Sequence, residues 1–105
     1  MLKLTNPFLE EIRKYQKTDK KLMEKLVLIN AGKEVDFKID ENGVIKYQGR
    51  VCVPDVPELR KMILEEGHRS RLSIHPGVTK MYQDLKKLFW WPGMKRQISE
   101  FVYAC

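Results

Sequence analysis

Both histidines of the chain, both tryptophans and one of its two cysteines fall between His68 and Cys105, in HRSRLSIHPGVTKMYQDLKKLFWWPGMKRQISEFVYAC. Two imidazoles with six residues between them, followed by two helix-like segments that end on a thiol, form a donor set suited to zinc, which accepts imidazole nitrogen and thiolate sulfur together. The constraint on the fold is strong. In 105 residues the hydrophobic core is modest, so a metal cross-link would hold together what apolar burial holds only weakly. That length suits one domain, or a small domain with an ordered extension.

Upstream, Asn6-Pro7 with Glu10 and Glu11 is a helix start, with Asn6 as cap, Pro7 in the first turn and acids near the positive end of the helix dipole. Phe8, Ile12 and Tyr15 share a face, and Leu22, Leu26 and Ile29 continue an apolar stripe up to Gly32. Residues 7–31 are one long helix or, by preference, two helices joined near Thr18 and Asp19. The period then drops to 2, with Val35, Phe37 and Ile39 alternating against Asp36, Lys38 and Asp40. Asn42-Gly43 is a hairpin signal of the type I′ kind, and Gln48-Gly49 a second turn, so 35–54 is expected to be a three-stranded antiparallel meander.

Asp55 and Glu58 have capping-box spacing, and Leu59, Met62 and Ile63 make the buried face of a helix expected to end near Gly67 and present His68. After Pro76-Gly77, Val78, Met81, Tyr82, Leu85, Leu88 and Phe89 form a stripe of helical period. Pro92-Gly93 opens a last helix in which Met94, Ile98, Phe101 and Val102 share a face with Cys105. Trp90 and Trp91 are read first as core, with stacking on a base or a partner as the other use. Cys52, between Val51 and Val53, reads as a small buried apolar residue.

Net charge is +6, and its distribution carries more than its sum. Residues 1–34 hold 8 basic and 5 acidic side chains, 35–67 hold 5 and 7, and 68–105 hold 7 and 2. A positive field concentrated in the histidine and cysteine segment suits a polyanion, because neutralising phosphates releases condensed counterions. Arg69, Arg71, Lys80, Lys86, Lys87, Lys95 and Arg96 are the candidate phosphate contacts. Lys80, Lys86 and Lys87 suggest one basic helix face. Two cysteines are too few for a disulfide framework, and no apolar run is long enough to span a bilayer, so an intracellular chain without a membrane partner is expected.

The blocks GVIKYQGRVCVP, LRKMILEEGH, IHPGVTKMYQDLKKLFWWPGMK and FVYAC, in this order between Val44 and Cys105, resemble the His-His-Cys-Cys zinc-binding domain of integrases from gypsy-class LTR retrotransposons and related retroviruses. Residues 1–43 resemble the extension that precedes that domain in the polyprotein. The resemblance implies one structural zinc held by His68, His75 and Cys105, with a second cysteine three positions beyond Cys105, so that the motif here is truncated one ligand short. It also implies a helper role in binding element DNA ends and in multimerisation, with nuclear work at the integration step. Strand transfer belongs to a separate downstream domain, so no catalytic residue is expected in this chain.

The whole reads as α+β and mainly helical: a helical extension over 1–34, the meander over 35–54, and an incomplete three-helix zinc-binding domain over 55–105. An open ligand position would also suit a catalytic zinc, but no H-E-x-x-H spacing is present. The rival reading is a metal-independent helical module in which the same apolar stripes dock a protein partner.

Overall fold

A computed structural model of the chain describes residues 6–69 and 77–104. Five helices surround one four-stranded sheet: α1 (Asn6–Gln16), α2 (Lys20–Asn30), β1 (Phe37–Ile39), β2 (Ile45–Tyr47), β3 (Arg50–Cys52), α3 (Pro57–Arg69), α4 (Val78–Leu85), β4 (Phe89–Trp90) and α5 (Met94–Ala104). The strands lie in the order β1-β2-β3-β4; the first three run antiparallel in sequence and β4 joins β3 in parallel.

The N-terminal helical region is two helices rather than one. Between them Asp19 caps α2, its Oδ1 accepting the Leu22 N–H at 3.0 Å. Its other oxygen accepts the Asp55 N–H at 2.9 Å, which ties the start of α2 to the chain leading into α3. Asp55 therefore does not cap α3. The carbonyl of Val56 receives the first helical N–H groups, from Leu59 and Arg60, while the Asp55 carboxylate pairs with Arg60 at 3.3 Å.

The type I′ geometry falls at the other turn. Gln48 and Gly49 both take positive φ, 49° and 83°, so Tyr47 and Arg50 close a two-residue hairpin. At Asn42-Gly43 only Gly43 does, because the Asp40 carboxylate accepts the N–H groups of Asn42 and Val44, both at 2.9 Å, and holds a wider loop. Burial alone would raise the Asp40 carboxyl; those two N–H groups and Lys46 outweigh it and hold the group below its usual range.

Neighbouring residues at β2, β3 and β4 feed two different clusters, so both faces of that part of the sheet are covered. Val44, Val51, Val53, Phe89 and Trp91 pack with Ile12 and the buried faces of α3, α4 and α5. Ile45, Cys52 and Phe37 pack instead with Leu22, and Met23, Leu26 and Ile29 of α2 close over them. The first cluster draws from all three segments read in the sequence. On β1 only Phe37 is buried; Val35 precedes the strand and is 81% exposed.

The helix expected to end near Gly67 and present His68 ends at Arg69, and one further expectation, the extent of the α4 stripe, is corrected. Gly67 lies inside α3, where a Cβ would come within 2.9 Å of the buried Leu85 side chain, so its role is close approach of α3 to α4 rather than termination. The α4 stripe stops at Leu85, and Phe89-Trp90 is a strand because the exposed edge of β3 needs acceptors: Val51 and Val53 donate to the carbonyls of Leu88 and Trp90 at 2.8 and 2.9 Å. The C-terminal segment is thus not a purely helical unit.

Candidate metal centre and basic surface

Of the three donors named by the sequence, the structure describes His68; His75 and Cys105 lie outside the described residues. His68 sits at the end of α3, half-buried, with its ring edge-on to Phe101 of α5 at a centroid distance of 5.7 Å and an interplanar angle of 78°. Phe101 stands four residues, about one helical turn, before Cys105. The end of α3 and the last two turns of α5 are thereby brought together. The contact that allows it is Gly67 against Leu85, since a bulkier residue would push α3 away from α4, which itself packs on α5.

Among the described residues no group of three or more His, Cys, Asp or Glu side chains is placed to hold a metal. Cys52 is buried on the α2 side of the sheet with Leu22, Phe37 and Ile45, in a different cluster from α3 and α5, and burial pushes its thiol up to about 12, with Arg50 opposing the rise and Asp19 adding to it. The chemistry of His68, a half-buried imidazole beside an aromatic ring at a helix end, does fit a zinc ligand.

The candidate phosphate contacts divide. Lys80 pairs with Asp84 at 3.6 Å and Arg96 with Glu100 at 3.5 Å, each one turn along its own helix. Lys86 and Lys95, from the end of α4 and the start of α5, both lie over the Tyr82 ring, their ammonium groups 5.3 and 5.7 Å from its centroid. Tyr82 thus gathers two cations that the sequence separates by nine positions. Lys87 is exposed in the turn after α4, so the basic helix face expected from Lys80, Lys86 and Lys87 ends with the helix at Leu85. Arg71 and the side chain of Arg69 lie outside the described residues.

Of two further residues that carry this arrangement, Gln16 was not singled out in the sequence, whereas Trp91 was read there as core. Gln16 is 1% exposed in α1, accepts the Ile45 N–H at 2.9 Å and donates to the carbonyls of Ile45 and Cys52 at 3.0 and 2.7 Å, so one amide clamps β2 to β3. Its signal was available: it falls four residues after Ile12, on the buried stripe of α1. Trp91 is fully buried, with the Arg60 guanidinium 5.5 Å above its ring and its Nε1 donating to Gln97 of α5.

Comparison with known proteins gives one family match, to the integrase zinc binding domain, over residues 56–105. The whole chain is also similar to the Transposon Tf2-3 and Tf2-4 polyproteins of Schizosaccharomyces pombe, 23% identical over 104 residues, which is 99% of this chain and 8% of each polyprotein. The chain therefore spans a small part of the relatives it matches. No solved structure matches it.

Proposed function

We propose, from the match of residues 56–105 to the integrase zinc binding domain, that the chain is a non-catalytic module of a retrotransposon integrase that helps to bind element DNA ends and to multimerise the protein. The observation that carries the reading is the packing of His68 on Phe101, which joins the end of α3 to the helix that leads into Cys105. His68, His75 and Cys105 would hold the zinc, with a fourth position for water or for a cysteine three residues further on. Zinc in such a site supplies a cross-link and no reaction.

DNA contact is supported by the excess of 7 basic over 2 acidic side chains in residues 68–105, and within it by Lys86 and Lys95, which Tyr82 holds together. Self-association draws its support from the family. Its place of work would be the nucleus, at the joining of element and host DNA.

Zinc per chain, measured on the 105-residue protein and on one lengthened to a cysteine three positions beyond Cys105, tests the metal reading. We expect one tightly held zinc in the longer form, and a lower melting temperature after chelation, because an ion bound only by the folded state stabilises it. Absence of zinc from the longer form would overturn the reading. Replacing both His68 and His75 by Ala in that form should abolish binding; unchanged folding and an unchanged response to chelator would favour the metal-independent module instead.

A further inference from the structure

A cleft of about 340 Å³ lies between α2 and the sheet, lined on the α2 side by Leu22, Phe37 and Cys52 of the second cluster and bordered by Arg60 of α3. Its volume is in the range of small-molecule sites. Leu22, Phe37, Cys52 and Trp90 supply its apolar lining. Trp90 reaches it because strand alternation turns Trp90 to the α2 side while Phe89 and Trp91 enter the other cluster.

The aromatic wall is fixed in place before any ligand arrives. Trp90 stacks on Tyr47 with centroids 4.2 Å apart and an interplanar angle of 27°, and Phe37 meets Trp90 edge-on at 5.6 Å. Around this wall stand three cations. Lys25 lies 4.8 Å over the Phe37 ring and pairs with Glu34 at 3.4 Å, Arg60 is anchored by Asp55 and the Val53 carbonyl, and Lys21 is exposed one turn before Lys25 on α2.

The two carboxylates of the cleft are already engaged. Asp19 accepts backbone N–H groups on both oxygens, and Asp55 is paired with Arg60. A preformed aromatic wall with cationic groups at its rim favours a planar ring that carries an anion, and the cleft has room for one such ring to stack. We propose that this cleft binds an unpaired nucleobase with its phosphate, so that the chain holds a single-stranded nucleic-acid segment at a site separate from the Lys86 and Lys95 surface. This goes beyond the proposed function and does not depend on zinc.

The test uses the 105-residue chain and fluorescence anisotropy with a short dye-labelled single-stranded DNA and with its blunt duplex. We expect Lys21→Glu and Trp90→Leu each to weaken single-strand binding by roughly tenfold and leave duplex binding unchanged, and Lys95→Glu to do the reverse. Should Trp90→Leu fail to fold, as judged by circular dichroism, the exposed Lys21 decides. Adenosine monophosphate then separates the sources: displacement of the strand by it assigns the site to free nucleotides as well, and no displacement assigns it to the polymer alone. Single-strand binding that is absent in the parent chain, or equal in the parent and in Lys21→Glu, overturns the proposal.

Discussion

Gln16 shows how much one buried polar side chain can organise. Its amide satisfies three backbone groups of β2 and β3 that lie out of reach of water. Truncation to Ala should leave a donor and two acceptors unpaired and cost about 3 kcal/mol in urea unfolding. Gln16→Leu should recover little of that, since what is lost is pairing rather than volume. Gly67 makes the complementary point about space. A methyl group there would meet the buried Leu85 side chain at 2.9 Å, and Leu85 is 0% exposed and cannot swing into solvent. Ala is the better helix former by about 1 kcal/mol, yet overpacking costs about 1–3 kcal/mol, so Gly67→Ala should lower stability. Adding Leu85→Val should restore part of the loss.

Helices were legible wherever an apolar stripe coincided with a cap. Asp19 and the Leu22, Leu26, Ile29 stripe fix α2 in just this way. The stretch Leu88-Phe89-Trp90-Trp91 was not legible, because Leu88 and Phe89 extend the α4 stripe while the same run also alternates with period 2. The choice is made by the unpaired edge of β3, a partner some 40 residues away, and local periodicity carries no record of it. For the same reason the site was half legible. His68 at the end of α3 followed from the sequence, whereas Tyr82 as the meeting point of Lys86 and Lys95 requires the packing of α4 on α5. If that pair contacts phosphate, replacing both lysines by Ala should reduce the salt dependence of duplex binding by about two units of log–log slope. Lys80→Ala and Arg96→Ala should change it less, each cation being already opposed by a carboxylate on its own helix.

Across the whole molecule, the extension, the sheet and the C-terminal helices share one apolar cluster. Ile12 from α1, Val51 and Val53 from the sheet region, and Phe89, Trp91 and Ile98 from the C-terminal part lie within it. Residues 55–105 alone would lose the β3 edge that pairs with β4 and much of the cover over Phe89 and Trp91. With burial of a large apolar side chain contributing about 1.5–3 kcal/mol, we expect that fragment to be less stable than the full chain by about 3 kcal/mol or more at matched zinc concentration. A fragment as stable as the full chain would show the extension to be a separate unit.

In the proposed function the ends of α3 and α5 close on a zinc ion. X-ray absorption at the zinc edge of the zinc-loaded 105-residue protein reads the donors directly. The account predicts two imidazole nitrogens at about 2.0–2.1 Å and one sulfur at about 2.3 Å, with both nitrogens lost in a chain carrying His68→Ala and His75→Ala. A shell of oxygen alone, or one unchanged by those substitutions, would contradict it.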